Sequence, residues 1–180
     1  LGAAVGDFNG DGVDDVLVTN AGWAANELLI ADVQGGVTST LLARSHNSRG
    51  GAMGDFNGDG KDDVIIGAWG DDNNSASSSG SAFIFFGGIT RTKTADADAD
   101  VILNGQSAGD EFGFSVASVG DFNGDGKDDV IVGAYKDDNN STTDSGSAFI
   151  FFGGITGTKR ADADADVILN GQTDGDDFGF

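Results

Sequence analysis

Three segments concentrate acidic and amide side chains at one fixed spacing: Asp7–Asp15, Asp55–Asp63 and Asp121–Asp129, reading DFNGDGVDD once and DFNGDGKDD twice. Counted from the first aspartate, oxygen-bearing side chains stand at positions 1, 3, 5 and 9, with glycine at position 6. Side chains at 1, 3 and 5 converge when a loop coils about a hard cation, and the glycine permits the sharp turn that aims the position-7 carbonyl inward. The expected donors of the first loop are the side chains of Asp7, Asn9, Asp11 and Asp15 and the carbonyl of Val13. Those of the second are Asp55, Asn57, Asp59, Asp63 and the Lys61 carbonyl, and those of the third are Asp121, Asn123, Asp125, Asp129 and the Lys127 carbonyl. Gly12, Gly60 and Gly126 make the turn, and the position-7 side chain is free to vary.

A helix-flanked calcium loop would carry glutamate at position 12, where this chain has Val18, Ile66 and Val132 inside strand-like runs. The set is therefore expected to close a β-hairpin around one Ca²⁺ per loop, three in all. Affinities in the range of about 10⁻⁴–10⁻³ M typical of extracellular modules are expected. Donors that are all oxygen, without His or Cys, disfavour zinc and copper, and magnesium would keep more of its water. A solvated Asn-Gly turn would also close a hairpin, but it gives no reason for Asp at 1, 5 and 9 in every copy. Strand alternation is expected to turn the position-8 residues Asp14, Asp62 and Asp128 outward.

The elements that hold these loops repeat with them. Asp55 to Asp121 is a step of 66 residues and Asp7 to Asp55 a step of 48. Over residues 55–114 and 121–180, 49 of 60 aligned positions are identical. Each long unit reads as four strands, exemplified by Phe112–Gly120, Asp129–Tyr135, Ser147–Gly154 and Asp166–Gly171. Runs such as SAFIFFGG are apolar on both faces and need covering on both, which stacked blades supply. Small residues in the first strand (Ser115, Ala117, Ser118) suit a crowded position beside a propeller axis. The expected fold is all-β, a partial β-propeller of about three four-stranded antiparallel blades. Residues 1–48 form a short, truncated blade, 49–111 the second, 112–177 the third, and 178–180 start a next one.

Thirty acidic against nine basic residues give a formal net charge of -21, which repels nucleic acid and anionic membrane surfaces. Thirteen Phe within a 38% apolar composition exclude a disordered acidic tail. No apolar run approaches the ~20 residues of a membrane helix. The absence of Cys removes disulfides and thiolate chemistry. The chain begins at Leu1 without a charged-then-apolar leader and is read as a mature portion or a fragment.

These features together resemble the FG-GAP repeat, the blade of the integrin alpha-subunit β-propeller and of many bacterial surface proteins. The resemblance rests on FG at Phe112–Gly113 and Phe178–Gly179, GA at Gly67–Ala68 and Gly133–Ala134, and D-x-[DN]-x-D-G-x-x-D in all three loops. Trp69 and Tyr135 replace the usual Pro, and the first unit lacks a clear GA and a preceding FG, closer to shorter repeats found beside FG-GAP blades. The resemblance implies an extracellular or cell-surface module for adhesion or ligand binding, stabilised by calcium on its lower face. A protein or glycan ligand would be met on the upper face, by GDDNNSASSSGS, KDDNNSTTDSGS and NGQSAGDEFG. The ADADAD runs (Ala95–Asp100, Ala161–Asp166) would lie on the calcium side, and further blades of a longer chain would complete the ring.

Other residues invite two readings each. ADADAD as a strand would align its carboxylates on one face as a weak cation site, but a solvated, aggregation-resistant edge is preferred. His46 is read as a loop residue rather than a catalyst, and Trp69 and Tyr135 as core caps rather than a glycan platform. The sequons at Asn73, Asn139 and Asn140 matter only in a eukaryotic secretory pathway. No nucleophile–base pair, His cluster or phosphate-cradling loop is found, so the chain is not expected to be an enzyme. An accessory propeller of a secreted phospholipase or polysaccharide-degrading enzyme is the competing reading. An isolated propeller segment of this kind is expected to self-associate or to fold loosely.

Overall fold

Short runs rich in Val, Ile and Phe, punctuated by glycine, favour strands over helices. The computed structural model of the chain describes residues 2–20, 26–31, 33–42, 48–73, 75–88, 92–139 and 141–180. His46 and Asn140 lie outside the described residues. The first unit forms β1 (Gly2–Gly6), β2 (Asp15–Thr19), β3 (Asn26–Ala31) and β4 (Val37–Leu42), paired antiparallel in that order. The second forms β5 (Ser48–Gly54), β6 (Asp63–Ala68), β7 (Ser81–Phe85) and β8 (Val101–Asn104). The third supplies β9 (Ser115–Gly120), β10 (Asp129–Ala134), β11 (Ser147–Phe151), β12 (Gly157–Arg160) and β13 (Val167–Asn170). The first unit, although eighteen residues shorter in its step, still makes four strands, so its shortening falls in the connections.

The sheets differ from the expected set of three four-stranded ones. β12 leaves the third unit and pairs in parallel with β8, from Gly157 opposite Val101 to Arg160 opposite Asn104. The second sheet therefore has five strands, β12-β8-β7-β6-β5, and the third has four, β13-β11-β10-β9. The backbone of β8 would otherwise present an open edge, and this strap covers it.

The ADADAD runs are not strands. Ala95–Asp98 (α1) and Ala161–Asp164 (α2) each make a single helical turn. Their aspartates are distributed among separate backbone and amide partners rather than aligned. Asp98 and Asp164 accept the amides of Thr94 and Arg160, each at the start of its own turn, and Asp100 and Asp166 accept those of Phe86 and Phe152. Asp96 and Asp162 accept the side-chain amides of Asn73 and Asn139. Those two asparagines belong to the connections between the second and third strands, so the helical turns meet the loops they were expected to oppose.

The cores lie between sheets. Phe8 and Leu17 of the first unit pack against Val64, Ile66, Phe83 and Phe85 of the second. Phe56, Ile65 and Ile84 of the second pack with Val130, Val132, Phe149 and Phe151 of the third. Every residue of β6 and β7 is buried, as their two-sided apolar sequence requires. The first strands β1, β5 and β9 lie side by side, where their small residues allow close approach. This is an all-β architecture of β-propeller type.

Candidate functional site

Each acidic loop is organised by its first aspartate. The Asp7 carboxylate accepts the backbone amides of Gly10, Asp11 and Gly12 at 2.9–3.0 Å. Asp55 does the same for Gly58, Asp59 and Gly60, and Asp121 for Gly124, Asp125 and Gly126. The amide oxygens of Asn9, Asn57 and Asn123 accept the N–H of position 5, whose carboxylates accept the N–H of Val13, Lys61 and Lys127. Gly12, Gly60 and Gly126 take φ of 85°, 84° and 91°, a conformation that strains any residue with a Cβ.

Position 9 is the buried pin of each hairpin. Asp15 accepts the amides of Asn9 and Ala31, and Asp63 those of Asn57 and Gly87. Asp129 accepts those of Phe122, Asn123 and Gly153. One carboxylate thus ties the start of its loop to the end of the third strand. Burial pushes Asp15 above the ordinary carboxylate range and Asp63 up to about 7, although backbone amides oppose the shift.

The donor chemistry of these loops fits a hard divalent cation: the side chains of positions 1, 3, 5 and 9 offer carboxylate and amide oxygens and no nitrogen or sulfur ligand. Among the described residues no three carboxylates or imidazoles stand close enough to hold a metal ion by themselves. The carboxylates at positions 1 and 9 are instead turned to the loop amides. Side-chain amide and carbonyl oxygens would have to complete the set.

Asp14 is exposed as expected, but the other two position-8 aspartates, Asp62 and Asp128, do not point outward. Asp62 accepts the N–H of Asp7 at 2.8 Å, and Asp128 accepts the N–H of Asp55 at 3.2 Å. The Asp62 and Asp128 amides donate to the carbonyls of the same two residues, and Gly88 and Gly154 donate to Phe8 and Phe56. Successive loops are therefore laced together, each onto the one before it. The alternation rule fails because position 8 precedes the strand and lies in the seam between units. Position 7 also matters: the Lys61 and Lys127 stems lie along Gly10 and Gly58 of the preceding loop. Identical Lys-Asp pairs in both long units were the available signal for this role. Asp128→Ala is expected to cost about 1–3 kcal/mol by stranding the Asp55 amide, measured by urea unfolding against Asp144→Ala on an exposed loop.

On the other side of the sheets, the connections between strands gather as expected. Gly109, Glu111 and Phe112 donate to the carbonyls of Ser77, Ser78 and Ser79, and Gly175 and Phe178 repeat the pattern on Thr143 and Ser145. Asp110, Asp137 and Asp162 line one crevice here, so α2 sits on this side and not with the acidic loops. Burial, reinforced by Asp137, Asp162 and Asp138, pushes Asp110 up to about 7. The folded chain then holds a proton that the unfolded chain releases near pH ~4. Stability should fall as pH rises from about 4 to about 7, and the loss is complete above that window. Asp110→Asn is expected to raise the melting temperature at pH 8 and leave it unchanged at pH 4, as scanning calorimetry would read.

Trp69 and Tyr135 are half-buried caps. Their rings lie 6.3 and 4.4 Å from that of Phe114, with the Arg49 guanidinium 4.3 Å from the same ring. Lys136 is paired with Glu111 beside them.

The FG-GAP repeat profile matches residues 49–85 and 112–151, and the FG-GAP-like repeat profile matches residues 7–66. The chain is an FG-GAP repeat protein. No curated protein matches it. In this FG-GAP repeat protein the two signature dipeptides touch across the seam between units. Phe112 fills the core, with its ring 5.5 Å from Phe149 and 6.4 Å from Phe151. Gly113, at φ 83°, donates its N–H to the Gly133 carbonyl, and a Cβ on Gly67 would overlap the Gly113 carbonyl. FG and GA are thus two halves of one backbone contact. No helix among the described residues is long and apolar enough to cross a membrane.

Proposed function

We propose that this FG-GAP repeat protein is an extracellular, calcium-stabilised propeller module of about three blades that serves binding or adhesion, with calcium purely structural. The observation that supports this best is the lacing of three oxygen-rich loops along one side of the seams, each with the same internal hydrogen bonds. Asp7, Asn9, Asp11, the Val13 carbonyl and Asp15 would hold the first ion, and the matching residues of the other loops the second and third. Bound calcium would supply positive charge to loops whose carboxylates otherwise repel one another. The chain's own residues pre-shape the loop: position 1 gathers the amides, and position 9 anchors the hairpin.

The opposite side is left to a protein or glycan ligand. It gathers the long polar connections, joined to one another by backbone hydrogen bonds such as Gly109 to Ser77 and Gly175 to Thr143, and polar loops held on a rigid sheet scaffold suit recognition. Thermal unfolding tests the calcium reading. Each site should stabilise by about 2.7 kcal/mol at a hundredfold excess of calcium over its dissociation constant. Chelator should lower the melting temperature and calcium, not an equal concentration of magnesium, should restore it. A melting temperature indifferent to chelator would refute it.

A further inference from the structure

In the second and third loops, the residue that grips the preceding loop stands between two expected donors of its own loop. Asp62 lies between Lys61, whose carbonyl is the position-7 donor, and Asp63, the position-9 donor. Its carboxylate accepts the N–H of Asp7 at 2.8 Å, and its own N–H donates to the Asp7 carbonyl at 3.1 Å. The first donor residue of the first loop is thus held by both of its backbone groups. Asp128, between Lys127 and Asp129, holds Asp55 in the same way at 3.2 and 3.0 Å. The fit leaves no slack: a Cβ on Gly6 or Gly54, the residues before the gripped aspartates, would stand 2.3 or 2.6 Å from the gripping carboxylate. A second link runs beside the first. Asp63 accepts the Gly87 amide, and the next amide, that of Gly88, donates to the Phe8 carbonyl at 2.8 Å. Asp129, Gly153, Gly154 and Phe56 repeat that link at the other seam.

We propose that calcium binds cooperatively to neighbouring loops, with Asp62 and Asp128 as the positioning residues that carry the coupling; this rests on the reading of the loops as calcium sites. An ion held by the Lys61 carbonyl and the Asp63 carboxylate fixes both neighbours of Asp62. The grip passes that order to Asp7 before the first loop is filled. Order already imposed by one ion does not have to be imposed again by the next, which is positive cooperativity without a large movement. Coupling of binding is reciprocal, so the first loop assists the second equally. Each loop is laced only to its neighbours, and the three sites form a short one-dimensional array. Such an array fills over a narrower range of calcium than three independent sites.

Amide hydrogen exchange along a calcium titration of the 180-residue chain reads the loops separately, the first at Gly10, Asp11 and Gly12 and the second at Gly58, Asp59 and Gly60. Asp59→Ala removes the second site, and among the described residues the bonds of Asp59 all lie inside its own loop. Linked sites usually assist each other by about 5–150-fold in affinity, which moves the first-loop midpoint to higher calcium by roughly two- to twelvefold. In an Asp62→Ala chain the added Asp59→Ala should move that midpoint much less. Asp62→Asn, whose amide oxygen can still accept from Asp7, should keep the shift. Asp14→Ala, the same change on an exposed carboxylate, should leave it whole. Asp125→Ala and Asp128→Ala, read at the second loop, repeat the test on the other seam and serve if Asp62→Ala impairs folding. A first-loop midpoint indifferent to Asp59→Ala, or a shift as large without Asp62 as with it, overturns the coupling and leaves the calcium sites standing. Exchange that ignores calcium at every loop refutes the calcium reading, and the coupling with it.

Discussion

Phe112→Ala is expected to destabilise the chain by about 3–5 kcal/mol, the range for emptying a fully buried aromatic site. The ring is completely buried, stands edge-on to Phe149 and Phe151, and belongs to the cluster that joins the second unit to the third. Its neighbours sit on two sheets and cannot collapse into the void without moving one sheet against the other. Phe178→Ala at the same repeat position is the internal control, because its ring is partly in water. It should cost less than half as much in the same urea unfolding series. Equal losses at the two positions would show that the phenylalanine acts through its own loop and not through the seam.

Gly67→Ala should be nearly as damaging, by about 3 kcal/mol or more, although it adds only a methyl group. The new Cβ would meet the Gly113 carbonyl and the Val116 side chain, and Gly113 cannot yield because its own Cα side faces the Ser81 carbonyl. Backbone, not a flexible side chain, stands in the way on both sides. The second and third units would have to separate, which also exposes Phe112. Gly35→Ala, with no atom within 4 Å of its added Cβ, isolates the cost of a positive φ alone. A Gly67 variant no worse than the Gly35 variant in thermal unfolding would disprove the close-approach account.

Those two residues show why much of the fold was legible from the sequence. FG and GA recur at one spacing because they form one contact, and strands apolar on both faces announce that they are stacked. The acidic loops were legible for a similar reason: positions 1, 3, 5 and 9 hydrogen-bond inside a single nonapeptide, so local spacing carries the geometry. What escaped reading depends on partners distant in the chain. Asp62 bonds to a residue 55 positions away, and strand alternation has no bearing on a side chain in a seam. β12 adds to the sheet of the preceding unit through backbone hydrogen bonds, which place no demand on side-chain type. ADADAD alternates like a strand, yet alanine favours a helical turn and each aspartate found a nearby amide to accept.

Isothermal titration calorimetry with calcium tests most directly whether the three laced loops are calcium sites. The wild type is predicted to bind three ions per chain, Asp125→Ala two, and the triple variant Asp11→Ala, Asp59→Ala, Asp125→Ala none. No binding heat from a folded wild-type chain, or a stoichiometry unchanged in the triple variant, would contradict it.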